Sequence, residues 1–171
     1  MVRYFAAFAA AAALVPAVGV SAQPPQATAA SDEAMIDATI RDLYAVISGP
    51  AGARDWDKFN GLFLPEGRLV PVGDNGPTIL TPQGYADRAG PRFLKEGFFE
   101  SEIARRVERY GNVAHIFSTY ESRRAAGEAP FARGINSIQL VRTGGQWKIL
   151  SITWQGESAA YPIPATYLPA R

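Results

Sequence analysis

Residues 97–157 read GFFESEIARRVERYGNVAHIFSTYESRRAAGEAPFARGINSIQLVRTGGQWKILSITWQGE, and this stretch decides the fold. Gly111-Asn112 separates FFESEIARRVERY from VAHIFSTYESR, and Gly144-Gly145 separates FARGINSIQLVRT from QWKILSITWQGE. Each pair can take the positive φ that a two-residue hairpin turn requires, and the flanks are rich in Ile, Val, Phe, Tyr, Trp and Thr. The reading is four long antiparallel strands in meander order. One such sheet cannot bury its own face, so the residues upstream have to cover it.

Working upstream, Thr81-Pro82 is an N-cap followed by proline in the first turn of a helix, PQGYADRAGPRFLKE. Gly90-Pro91 is expected to break that helix near Ala89, with one further turn to Lys95. Before it, RLVPV and PTIL flank Gly73-Asp74-Asn75-Gly76 and read as a short edge hairpin, because Pro71 and Pro77 remove ladder donors. A short helix from Asp55 carries Trp56, Phe59, Leu62 and Phe63 as its apolar stripe, most simply core packing. An opening helix, capped by Ser31 with Asp32 and Glu33 in its first turn, puts Met35, Ile36, Ile40, Leu43, Tyr44 and Ile47 on one face. Ser48-Gly49-Pro50 stops it. Downstream, residues 158–171 contain Pro162, Pro164 and Pro169 and should form an extended, loosely docked tail.

The chain of 171 residues has no cysteine, one histidine, and 17 Lys and Arg against 16 Asp and Glu. That balance describes one domain and no nucleic-acid binder. Residues 1–22 have a short n-region with Arg3, an apolar run AAFAAAAALVPAVGV too short for a comfortable membrane span, and small residues Val20-Ser21-Ala22 at a signal-peptidase position. They read as a cleaved secretory signal, the alternative being an uncleaved N-terminal anchor. Residues 23–31, QPPQATAAS, form a disordered leader, and the domain occupies residues 32–157. Without cysteine there is no lipoprotein anchor and no disulfide, so the core alone must hold the fold. With a single histidine as well, a zinc site is not expected. No phosphate loop, nucleotide fingerprint or GxSxG motif is present, and no cofactor is expected.

The fold class is therefore α+β, with element order ααββαββββ. In that order the opening amphipathic helix, DWDKFNGLFLPEGRLV, YGNVAHIFSTYESR and GGQWKILSITWQ resemble the nuclear transport factor 2-like superfamily, the ketosteroid-isomerase-like or SnoaL-like polyketide-cyclase-like cone. The resemblance implies a curved antiparallel sheet wrapped around N-terminal helices, a pocket on the concave face, and a homodimer through the convex face. It leaves function open, since such folds serve isomerases, dehydratases, epoxide hydrolases, cyclases and pure binders.

Counting outward from the turns assigns faces. From Gly144-Gly145, one face holds Trp147, Leu140, Ile149, Ile138, Ser151, Asn136, Thr153, Gly134, Gln155 and Glu157, grading from apolar to polar as a pocket with a wet mouth would. The other holds Leu150, Ile152, Ile135 and Trp154 with Gln139, Ser137, Lys148 and Arg133, and reads as the dimer surface. A one-residue bulge would exchange the upper parts of these sets. From Gly111-Asn112, Val107, Ile116, Ile103, Tyr120, Phe99 and Ala114 share a face, opposite His115, Phe117, Thr119, Glu121, Glu108, Arg106, Glu102 and Glu100. The pocket is then expected between Trp56, Phe59, Tyr85, Phe99, Ile103 and Tyr120 on one side and Asn136, Ile138, Thr153 and Gln155 on the other. Its occupant would be a small apolar or amphipathic molecule. Two functions follow. The first is an exported binder of such a molecule, with neutral groups such as Asn136, Ser151 and Thr153 as its polar contacts. The alternative is a lyase or isomerase working by proton transfer, with His115, Glu100 or Glu102 as base and Tyr44, Tyr85 or Tyr120 as donor. An ionisable group deep in the apolar pocket distinguishes the second from the first. His115 reads more simply as a surface histidine opposite Glu108, and Glu100 and Glu102 as a solvated face.

Overall fold

The computed structural model describes residues 29–170, so the secretory signal expected at 1–22 and most of the expected leader lie outside the described residues. The elements are α1 (Ala29–Ile47), α2 (Trp56–Gly61), β1 (Phe63–Gly73), β2 (Gly76–Pro77), α3 (Pro82–Phe93), β3 (Phe99–Tyr110), β4 (Val113–Arg123), β5 (Ala132–Thr143) and β6 (Gln146–Gly156), with a 3₁₀ turn at Ala165–Tyr167. The order is the one expected. α1 already covers residues 29–31, which the sequence placed in the leader, and Phe63 opens β1 instead of closing α2. The described helices include none long and apolar enough to cross a membrane.

One unclosed sheet runs β2-β1-β6-β5-β4-β3. Both two-residue turns form as expected, with Tyr110 opposite Val113, Thr143 opposite Gln146, and φ of +55° at Gly111 and +55° and +76° at Gly144 and Gly145. The sheet is not antiparallel throughout. β1 pairs in parallel with β6, Leu69 opposite Ile152 and Pro71 opposite Trp154, which is possible because α3 and the whole meander supply the long crossover that a parallel pair requires.

Two bulges decide the faces. In β3, Glu102 is opposite Tyr120 but Ala104 is opposite Thr119, leaving Ile103 unpaired. In β6, Ile149 is opposite Leu140 but Ser151 is opposite Gln139, leaving Leu150 unpaired. Beyond each extra residue the strand presents the opposite set of side chains. Ile152 and Trp154 therefore face inward, opposite Ile138 and Asn136, while Ser151, Thr153 and Gln155 face outward. Likewise Glu100 and Glu102 come to the concave side with Tyr120 and Ser122, and Phe99 leaves it.

α1 lies across the concave face and buries Ile36, Ile40, Leu43, Tyr44 and Ile47 against Ile116, Ile138, Leu140, Trp147, Ile149 and Ile152. At the hairpin-tip end, Asp32 is only 3% exposed. Its carboxylate accepts from Trp147 Nε1 and pairs with Arg109 and Arg142, each at 3.3 Å, tying the first turn of α1 to both hairpins. α3 does not break at Gly90-Pro91. Proline costs only one helical hydrogen bond so near the end, and Leu94 N bonds Gly90 O at 3.0 Å to close the last turn.

The tail is more firmly docked than expected. Thr119 Oγ1 donates to Tyr167 O at 2.6 Å, Arg106 Nη2 donates to Thr166 Oγ1 at 2.6 Å, and the Tyr167 ring lies 4.9 Å from Phe117. The tail thus crosses the convex face. With Ile152 and Trp154 turned inward, the apolar dimer patch read from the sequence is reduced to Ile135, beside the tail, and Leu150, which is 40% exposed.

Candidate functional site

The helices and the concave sheet enclose a cavity of about 430 Å³. The size suits a small organic molecule. Leu43, Tyr44 and Ile47 of α1, Phe59 of α2 and Leu69 and Pro71 of β1 line it. Leu80, Phe98, Glu100, Tyr120, Asn136, Ile152 and Trp154 add to the wall. Tyr85, Arg88, Ala89, Arg92 and Phe93 complete it, and their spacing of three and four places them on one stripe of α3. An aromatic belt stiffens the wall. Phe59 stacks on Tyr85 at 5.4 Å, Tyr85 meets Trp154 edge-on at 6.2 Å, and Trp56 stacks behind Phe93 at 6.1 Å.

Of the ten residues expected to form the pocket, Phe59, Tyr85, Tyr120 and Asn136 line it. Trp56 supports it from behind, and Ile138 is core beneath the lining. Phe99, Thr153 and Gln155 lie on the other face and Ile103 sits at the bulge, because the count from the turns ran past both extra residues. His115 is also outside, on the convex side opposite Glu108 and 3.1 Å from Ser137 Oγ. The count concealed Glu100, Ile152 and Trp154. Leu150 next to Ile149 was the signal available, since two successive apolar residues break a period of two. Arg88 and Arg92 were legible from their helical spacing with Tyr85.

Glu100 carries the chemistry. Ser48 Oγ lies 3.0 Å from Glu100 O and 2.9 Å from Glu100 N, so the end of α1 grips the backbone and aims the side chain inward. Ser122 Oγ donates to Glu100 Oε2 at 2.9 Å. The residue as a whole is half-buried, and its carboxyl is surrounded by protein. Burial pushes the carboxyl up to about 7, the bond from Ser122 acting in the opposite direction. A carboxyl held there can take or give a proton near neutral pH. Burial likewise holds the phenols of Tyr85 and Tyr120 well above their ordinary range, and the charge of Glu100 adds to this in both. They stay protonated and available as donors.

Tyr44 and Glu102 are already engaged. Ser118 Oγ donates to Glu102 Oε1 at 2.5 Å, so its one proton is used. The 2.7 Å bond between Tyr44 Oη and Ser118 Oγ must then take its proton from the tyrosine, and Tyr44 Oη accepts from Asn136 Nδ2 at 3.0 Å. Glu102 is gripped by Arg105 at 2.6 Å, which also pairs with Asp37 at 2.6 Å. This chain fixes the Asn136 amide and removes Tyr44 and Glu102 from the set of free donors and bases. Among the described residues, no group of His, Asp and Glu is arranged to hold a metal ion.

No family model and no curated protein sequence matches the chain. Solved structures do match. A Mycobacterium tuberculosis protein of unknown function superposes with a TM-score of 0.63 at 17% identity, over 79% of this chain and 78% of that one. A Streptomyces avermitilis member of the nuclear transport factor 2-like family, proposed to be a dehydratase, gives 0.61 at 14% identity, over 77% and 100%. A Novosphingobium aromaticivorans protein, proposed to be a scytalone dehydratase, gives 0.59 at 14%, over 83% and 95%. The chain has the nuclear transport factor 2-like fold.

Proposed function

We propose that this protein is a lyase or isomerase that moves a proton on a small hydrophobic molecule held inside the cone. The observation that carries the reading is Glu100, an ionisable carboxyl in an aromatic cavity and balanced near neutrality. Glu100 would remove a proton from carbon beside a carbonyl, and Tyr120 or Tyr85 would donate to the oxygen that gains charge. Returning the proton elsewhere gives isomerisation; expelling a β-hydroxyl as water gives dehydration. Phe59, Phe93, Ile152 and Trp154 give the wall beside the transferred proton an apolar surface. That some structural neighbours are proposed dehydratases is consistent with this chemistry.

The test needs no knowledge of the natural substrate. Small cyclic ketones are incubated with the protein in deuterated buffer, and deuterium entry beside the carbonyl is followed by NMR. The wild type should accelerate exchange and Glu100→Gln should abolish it. Ketones that bind without exchanging would sink the enzyme reading and leave a binder, whose polar contact is Asn136 but not the outward-facing Ser151 and Thr153. Export with cleavage after Ala22 belongs to the same proposal and rests on the sequence of residues 1–22; intact mass of the exported chain decides it. Pairing of two chains through the outer sheet face is supported by Ile135 and Leu150 and opposed by the tail that crosses it. Sedimentation velocity separates these outcomes.

A further inference from the structure

Charged groups of both signs line the cavity. Glu100 enters from β3, while Arg88 and Arg92 enter from α3, one helical turn apart on the stripe that carries Tyr85. Both arginines are exposed, so they stand at the mouth. Arg88 makes no hydrogen bond or ion pair with the described residues, and its neighbour Asp87 is taken by Gln83 at 2.8 Å. Arg92 uses Nε on Glu96 at 3.2 Å, an exposed pair four residues apart, and Glu96 is also held by Arg124 at 2.8 Å. Such a pair is weak, and Glu96 keeps a partner if Arg92 turns away. Arg92 is near enough to Tyr85 for its charge to act on the phenol.

Two guanidinium groups at the entrance of an aromatic cavity favour an anionic ligand over a neutral one, since their hydrogen bonds to an oxyanion are charge-assisted on both sides. Guanidinium forks match the planar oxygens of a carboxylate or the face of a phosphate. We infer that the molecule taken up by this cavity is an amphiphile with an oxyanion head, held by Arg88 and Arg92 at the mouth, and an apolar body that reaches inward past Tyr85 and Trp154. This rests on the cavity being the ligand site and deepens that reading. It also gives the ligand a direction, with the head outside and the reacting carbon toward Glu100.

The uncharged fluorophore N-phenyl-1-naphthylamine serves as reporter, its emission excited by energy transfer from the tryptophans, of which Trp154 lines the cavity and Trp56 backs it. It is displaced in turn by decanoate, decyl phosphate and decan-1-ol, which share one chain and differ in the head. At least one of the two anions should displace the reporter at about tenfold lower concentration than the alcohol, as expected for charge-assisted hydrogen bonds. The order of decanoate and decyl phosphate identifies the head. In Arg88→Gln/Arg92→Gln the anions should fall to the level of the alcohol, the alcohol measured on the same variant being the reference for any change in the cavity itself. An alcohol as potent as both anions on the wild type, or an anion preference that survives in the double variant, overturns the inference while the cavity reading stands. A reporter that finds no site in the wild type overturns both.

Discussion

Replacing Glu100 by Gln should stabilise the protein above neutral pH and leave it unchanged in acid. The folded carboxyl is pushed up to about 7 from an ordinary value of 4.5, so the native state binds its proton more tightly than the unfolded chain does. Stability is therefore fully present below about pH 4.5 and lost as pH rises through 7, after which the cost is constant. A difference of two to three pH units corresponds to about 3 kcal/mol, roughly 10 °C in Tm for a domain of this size. Gln keeps the shape and can still accept from Ser122, so the variant removes the charge and little else. Urea denaturation of both proteins at several values between pH 4.5 and 8.5 gives the assay. Subtracting one curve from the other cancels every other titrating group. A difference that stays flat across pH 5 to 8 would mean a hydrated carboxyl and would remove the basis of the proton-transfer reading.

Other outcomes follow from the same geometry. Ser122→Ala removes the bond that favours the charged form, so the Glu100 midpoint should rise above about 7 in a carboxyl titration followed by infrared spectroscopy. Gly134→Ala would drive a methyl into Tyr120 Oη and Gln155 O. It should cost about 1–3 kcal/mol in denaturation and displace the phenol from the cavity. Asp32→Ala leaves the Trp147 indole and two arginines without their shared acceptor and should cost about 1–3 kcal/mol, read by thermal melts. Tyr167→Ala should loosen the tail from Phe117 and Arg106, seen as faster proteolysis after Glu157 with little change in the melting of the core.

The turns and strands were legible because Gly111-Asn112 and Gly144-Gly145 carry a backbone requirement that few residue pairs meet. Side-chain faces were legible as far as the first irregularity. Trp147, Ile149, Ile116 and Ala114 fall where the count from the turns puts them; Ile152, Trp154, Glu100 and Glu102 do not. Ile103 and Leu150 are ordinary strand residues, and a bulge is stabilised by what packs around it, not by its own side chain. The site was obscured for the same reason. A strand reading Glu-Ser-Glu resembles a solvated face, and only the register change at Ile103 shows that both carboxylates point inward. The parallel pairing of β1 with β6 joins segments far apart in sequence, and neither segment encodes it locally.

The two bulges have a further consequence for how such chains are compared. Deleting Leu150 would restore regular alternation in β6, with Ile149, Ile152 and Trp154 still inward, and deleting Ile103 would do the same for β3. Every core residue would keep its counterpart, and a residue-by-residue alignment of the shortened chain with this one would score almost perfectly. The sheet would nevertheless lose two of the bends that make it concave. The hollow on the concave side is thus encoded partly by two insertions, neither of which contributes a side chain to its wall.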